Sequence, residues 1–277
     1  MTAASTAPAT AVRPGRRLPN AYGTRIGVEL KEFFRQREAV TFTVLFPVLL
    51  LVGLGSVLEF DIGAGVGFAQ YFMAGVIVAG IVGASFQNLG IYIAGERSDG
   101  TLKSLRGTPM PASAYFAGKV VQVLAVAAVT TVLLLLVGVV VYHVDLPSAE
   151  GWVTFGWVAL LGITACTMLG IAVSSLAPNR RSASALISPA ALLLEFVSGV
   201  FEPFGQLPHW IQVLASLFPV KWMAQGLRSV FLPEELVAKE PAGSWELGRV
   251  ALVLGIWCVV GLVLCVRTFR WQDRADR

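Results

Sequence analysis

The chain has 277 residues, 56% hydrophobic and 14% charged, with a net charge of +4 and a mean hydropathy of +0.72. These values fall outside the range of soluble globular proteins, and at this length they leave room for one membrane domain and no second soluble one. The basic excess does not point to nucleic acid: the Lys and Arg residues sit beside apolar stretches, where membrane orientation and lipid headgroups account for them.

The polar N-terminus predicts a disordered cytoplasmic tail over 1–19 and no cleavable signal peptide, since the first apolar run begins near residue 39. Next, Tyr22, Ile26, Leu30, Phe33 and Phe34 recur at three-to-four spacing, while Arg25, Glu29, Lys31, Glu32 and Arg35 fill the other face. That periodicity predicts an amphipathic helix lying along the inner membrane surface. Six apolar stretches follow, at 39–58, 70–93, 120–142, 153–177, 183–201 and 249–267. Each has about 19–25 residues, enough at 1.5 Å per residue to cross a hydrocarbon core of about 30 Å. Most of the 21 Lys and Arg residues lie before the first stretch, after the second, after the fourth and after the sixth. Basic residues favour the cytoplasmic side, so the pattern predicts six spans with both termini inside and a short inner tail at 271–277.

Details along the spans agree with this reading. Pro47 breaks or kinks the first, and Glu59 and Asp61 make its outer loop acidic. In the second, Gly75, Ala79, Gly80, Gly83 and Ala84 permit close helix contact. Trp152 and Trp157 read as outer interface anchors of the fourth. Between the second and third spans, Asp99 is placed to cap a short helix running to Arg106, with Gly107 and Pro109 ending it. With Leu102 and Leu105 exposed, that helix buries nothing by itself, which suggests a docked partner rather than an ordinary charged loop. The outer segment 202–248 contains apolar runs at 210–218 and 220–232, separated by Pro219. Neither run is long enough to span, and if 207–232 did span, the arginine-rich C-terminus would lie outside. The segment is therefore expected to be a re-entrant hairpin of two short helices buried against the bundle.

Three polar positions stand out inside the apolar stretches. Glu195 lies about 21 Å along its helix from Arg181, in the outer third of the core. An ionisable side chain at that depth costs roughly 2.5–3.5 kcal/mol and marks a functional candidate, although pairing with Lys221 or Arg228 would also account for it. Gln87 and Asn88, near the inner end of the second span, either face the substrate path or hydrogen-bond a neighbouring helix. Cys166, Cys258 and Cys265 have no metal-ligand spacing and read as packing residues. A proton-coupled transporter is expected to show several intramembrane acids and internal repeats, which this chain lacks. An intramembrane protease built on Ser85 with His143 or His209 as base fails on depth, because Ser85 lies in the inner half and both histidines outside.

The stretch Glu96 to Lys119, with Gly100-Thr101-Leu102, Leu105-Arg106, Thr108-Pro109 and Gly118-Lys119, is similar to the loop between spans two and three of type-2 ATP-binding-cassette permeases. That group includes the daunorubicin-resistance-like drug exporters. Ser198-Gly199-Val200-Phe201, Pro203, Leu207-Pro208, Trp210 and Phe218-Pro219 through Leu227-Arg228 resemble the family's segment before the last span. With the entry helix and six-span order, the likeness covers about 20–267 and implies an all-α transmembrane domain over 20–270. It implies a permease in a bacterial inner or plasma membrane, paired with a second permease, identical or homologous. It also implies two copies of a separate ATPase that binds ATP and Mg. The chain has no Gly-x-x-x-x-Gly-Lys-Ser/Thr loop of its own, so no ATP hydrolysis, cofactor or metal is expected within it. The resemblance assigns ATPase coupling to the entry helix (Ile26, Leu30, Phe33) and to the loop (Glu96, Thr101, Leu102, Leu105, Arg106). It assigns the transport path to the second and fifth spans and the upper gate to the hairpin, with Phe201, Trp210 and Phe218 as candidates. Spans made mostly of Val, Leu, Ala and Gly favour a hydrophobic or amphipathic small molecule (drug, antibiotic or lipid-like). A polysaccharide or lipid-linked polymer would call for a belt of aromatic and polar residues.

Overall fold

A computed structural model describes residues 20–58, 60–108 and 110–268. The expected tails at 1–19 and 271–277 lie outside the described residues, as do Glu59 and Pro109. The described residues are mostly helical: α1 (Ala21–Arg35), α2 (Arg37–Val57), α3 (Phe68–Ser98), α4 (Thr101–Arg106), α5 (Ala112–Tyr142), α6 (Ala149–Ser174), α7 (Arg180–Val197), α8 (His209–Ala215), α9 (Pro219–Phe231) and α10 (Leu247–Thr268). Between α2 and α3 an antiparallel pair, β1 (Asp61–Gly63) and β2 (Val66–Gly67), closes the first loop. Five helices, α2, α3, α5, α6 and α10, are long and apolar enough to cross a membrane.

The fifth expected span differs in kind. Helix α7 runs the height of the bundle: Arg180 reaches Gln36 at the α1 end, and Val200, just past its last turn, packs on Gly75 near the hairpin end. Yet its 18 residues carry Arg180, Arg181 and Glu195, so composition does not mark it as a span. It buries Ala183, Ile187, Ala191 and Glu195, four apart, and leaves its other faces open.

Helix α3 is the centre of the core, buried on nearly every face against α2, α5, α6, α7 and α9. Lipid supplies no hydrophobic drive between helices, so close approach through small residues must hold them. A side chain at Gly75 would collide with the Val200 carbonyl, and one at Gly80 would lie 2.8 Å from Thr130. Gly170 of α6 sits against the backbone of α3, where an added carbon would meet the Phe86 carbonyl at 2.7 Å. Gly83, by contrast, faces open space.

Two short helices stand where the hairpin is expected, with Pro219 opening the second rather than breaking one, but α8 is not buried against the bundle: it buries Ala215 alone, and Trp210, Val213 and Leu214 are exposed. Proline suits that first position, where its missing N–H has no helical partner to lose. From Pro219 to Arg228 every residue of α9 is buried, packed on α3, α6 and α10. Its two cations are held internally. Arg228 donates to Glu240 (2.9 Å) and to the Gly199 carbonyl (2.7 Å). Lys221 donates to Gln225 and lies 3.6 Å from the centre of the Trp222 ring.

Gly75→Ala should lower thermal stability by about 1–3 kcal/mol, because the collision is with backbone that cannot rotate away. Gly83→Ala should be neutral or slightly stabilising. Melting of the purified variants in detergent checks both; equal melting temperatures would refute the packing account.

Candidate functional site

At the α1 end, charges that the sequence assigns to solvent lie inside the protein. The buried positions of α1 are Arg25, Glu29 and Phe33, spaced four apart along one stripe. Ile26 and Leu30 are half-buried beside it, while Tyr22 and Phe34 are exposed. The stripe packs on the start of α5. Gly118 makes this possible: a side chain there would meet the Arg25 and Glu29 stems at 3.0 and 3.1 Å. The next residue, Lys119, is 1% exposed and reaches Glu29 at 2.8 Å and Glu96, near the end of α3, at 3.0 Å. Arg25 pairs with Glu29 and, at 3.3 Å, with Glu96, whose other oxygen accepts the Tyr115 hydroxyl at 2.6 Å. The Lys119 ammonium also sits 3.9 Å from the centre of the Tyr92 ring. Burial pushes the Glu29 carboxyl above its ordinary range, against the opposing pull of Lys119. Two positive and two negative charges thus close on one another across α1, α3 and α5.

This geometry corrects which of the expected coupling residues are accessible. Glu96 is spent inside the cluster, and Phe33 is buried in the core. Leu102 is not exposed: it is fully buried where α4 folds back on the end of α3, and Leu105 is half-buried. Thr101 and Arg106 are the members that face outward. Nor does Asp99 cap α4. That position belongs to Gly100, whose φ of +75° is left-handed, while Asp99 accepts from Ser98. Gly107 ends the helix as expected. The sequence reading missed Arg97, which is buried and donates at 2.6 Å to both the Ser174 and Ala177 carbonyls, pinning the α6–α7 turn to the end of α3.

A groove of about 1910 Å³ runs between α2, α3 and α7 and opens on one side of the bundle. It gathers Gln87, Asn88, Glu195 and Phe201 of the expected path and gate. Phe68, Phe72, Phe201 and Phe196 form a chain of rings along its wall, with successive centres 5.1, 6.1 and 4.8 Å apart. Both π-helical segments, Thr41–Leu45 and Gly83–Asn88, contribute to the same wall. Such widened turns re-aim the side chains beyond them and often accompany function. Gln87 donates to Ser188 of α7 at 3.1 Å. Glu195 is not paired with Lys221 or Arg228, which are engaged within the hairpin. The other expected gate residues do not converge on Phe201: Phe218 stacks on Trp257 of α10, and Trp210 is 65% exposed.

Lys119→Met should cost about 3–5 kcal/mol, because it leaves a buried net negative charge. Adding Glu29→Gln removes that excess and should recover part of the loss. A double variant as unstable as the sum of the two single ones, in denaturant titrations of the detergent-solubilised protein, would show that the four charges are not coupled.

Comparison with known proteins agrees with this architecture. The model of the ABC-2 type transporter family matches residues 24–232, from α1 through the hairpin. The chain is similar to a putative transport permease, YvfS, of Bacillus subtilis, at 22% identity over 69% of this chain and 77% of the relative. It is also similar to a probable multidrug ABC transporter permease, YbhR, of Escherichia coli, at 27% identity over 51% of this chain and 38% of the relative. A putative transport permease, ycf38, of Porphyra purpurea is 29% identical over 41% of each chain. With its apolar helices, entry helix and pre-terminal hairpin, the chain is a multi-pass membrane permease subunit and belongs to the ABC-2 type transporter family.

Proposed function

We propose that this chain is the membrane-spanning half of an ATP-driven exporter of hydrophobic or amphipathic small molecules. The groove between α2, α3 and α7 carries the proposal: it is walled by phenylalanine and aliphatic side chains with a few polar groups, as ligand sites are. That lining suits an amphiphile better than a polysaccharide. Its volume exceeds the roughly 300–1,000 Å³ of a closed small-molecule site, and its open side supports closure by a second permease, identical or homologous. The multidrug designation of the YbhR relative points the same way. In this reading α7 is a sixth span, both termini are cytoplasmic in a bacterial plasma membrane, and the outer hairpin gates the exit.

ATP and Mg belong to a separate ATPase, present in two copies and seated at the α1 end. The outward-facing Thr101 and Arg106 of α4, with half-buried Leu105, Ile26 and Leu30, would meet it. The buried charge cluster makes α1 and the ends of α3 and α5 one unit, so that displacement of α4 moves the groove walls. Reconstitution with the ATPase that co-purifies with the chain tests the whole reading. ATP-dependent uptake of lipophilic dyes into inverted vesicles is expected, and ATP hydrolysis without dye movement would refute it.

Two further outcomes are specific. Arg106→Glu should abolish dye-stimulated ATP hydrolysis while the permease inserts and melts normally, whereas Leu102→Asp should unfold the loop because it buries a charge. Retained stimulation in Arg106→Glu would move the contact away from α4. In a chain with its three cysteines replaced, Glu235→Cys should label from outside and Gln272→Cys from inside. Labelling of both from one side would contradict six spans.

A further inference from the structure

Export of an amphiphile leaves its charge open, and the groove carries one feature that bears on it. Glu195 lies about 22 Å along α7 from Arg180, toward the hairpin end. It is 7% exposed, at the end of the buried stripe of α7, and is one of the residues that line the groove. Among the described residues it takes part in no ion pair or side-chain hydrogen bond. The two partners expected from sequence are committed elsewhere: Arg228 to Glu240 and the Gly199 carbonyl, Lys221 to Gln225 and the Trp222 face. Among the described residues the other buried charges are ion-paired, as in the four-charge cluster and Arg228–Glu240, or hydrogen-bonded, as are Arg97 and Lys221. A carboxylate buried without a partner is costly, and that cost falls when an opposite charge arrives beside it.

The surroundings favour the same visitor. Phe196 is the next residue on α7, and Phe201 and Phe72 continue the wall, so the groove lining that includes Glu195 is aromatic. Ring faces attract cations and repel anions. The groove does hold positive charge, from Arg37, Arg180 and Arg181, but at its opposite end. There the side chains are exposed, and Arg180 is tied to Gln36 and lies over Tyr92. Water and salt screen those arginines, while Glu195 acts where screening is weak. We infer that Glu195 is the counter-ion for the transported molecule, which is a monocationic amphiphile with an aromatic or bulky apolar body. Gln87 is bonded to Ser188, seven residues before Glu195 on α7, and both Gln87 and Asn88 are neutral.

This inference rests on the export reading but concerns binding alone, so the two can fail separately. The probes are tetraphenylphosphonium and tetraphenylborate, near-identical in shape and opposite in charge. Binding to the full chain in lipid nanodiscs, in excess of empty nanodiscs, is measured by equilibrium dialysis. The wild type should hold the phosphonium at least ten-fold tighter than the borate. Glu195→Gln should lose about ten-fold or more of the phosphonium affinity with borate binding unchanged or raised, and Glu195→Asp should retain part of it. Equal affinity of the wild type for both ions overturns the assignment without reference to any variant. So does a cation preference that survives in Glu195→Gln, or binding of neither ion, as expected if a second copy of the chain fills the groove. A phosphonium preference with no ATP-driven export would overturn the export reading and leave the counter-ion in place.

Discussion

Arg25, Glu29, Glu96 and Lys119 bring two positive and two negative charges together inside the protein, and the geometry at the α1 end follows from them. Burying a single one would be prohibitive; burying all four with zero net charge is close to neutral relative to an apolar core. What such a cluster contributes is position. Apolar side chains on α1 could slide along lipid, but a bifurcated contact from Lys119 to Glu29 and Glu96 admits one depth and one rotation of the helix. Gly118 lets the two backbones approach closely enough for Lys119 to reach, which gives the Gly118-Lys119 pair a structural meaning. Tyr115 and Tyr92 complete the site by offering a hydroxyl and a ring face to groups that water would otherwise solvate.

The hairpin end solves a related problem differently. In the proposed re-entrant placement, backbone that enters a membrane without crossing it must bury its polar groups in protein, and α9 is buried along its whole length from Pro219 to Arg228. Arg228 ties it to the stretch after α7 through the Gly199 carbonyl, where the chain turns with a φ of +70°. A residue with a side chain would be strained there, so the Ser198-Gly199-Val200 turn and the buried arginine act as one joint. The two ends of the bundle are therefore both locked by ion pairs, and the slack between them is the groove.

How much of this was legible in the sequence depended on range. Hydropathy is a local property, so the long helices were readable almost to their ends: 249–267 against Leu247–Thr268, for example. The start of α5 was not, because Ala112 to Lys119 continues the helix below the apolar run, and those residues hold the cluster. The polar face of α1 was read as solvated because periodicity alone cannot see partners 71 and 90 positions away. Leu102 was misread for the same reason: a six-residue helix has no interior, so its burial comes entirely from the fold around it. Glu195 was legible because an acid in an apolar stretch is conspicuous without any knowledge of neighbours. Its lack of a partner was not, since Lys221 and Arg228 were equally plausible on paper. The π-turns of α2 and α3 left no signal at all.

The groove's walls connect to both locks, and this bears on how the proposed cycle would run. Helix α2 joins α1 through Gln36, the one non-helical residue between them, whose side-chain oxygen accepts from Arg180 of α7. Helix α3 ends at the charge cluster and leads directly into α4. In the proposed cycle a push on α4 would be delivered to α3 through the chain and to α1 through Glu96, and would reach α2 and α7 at Gln36. All three groove walls share that end. At the other end the stretch just after α7 is held to α9 by Arg228 and to α3 by the packing of Gly75 on Val200, so in the proposed cycle a displacement below would become a tilt of the walls rather than a translation of the bundle. Packed helices with fixed contacts at each end have few ways to move, and the widened π-turns, near the start of α2 and midway along α3, are where their hydrogen bonding is most easily rearranged. Such a tilt would change the width of the groove beside Glu195 while leaving both sets of buried charges intact.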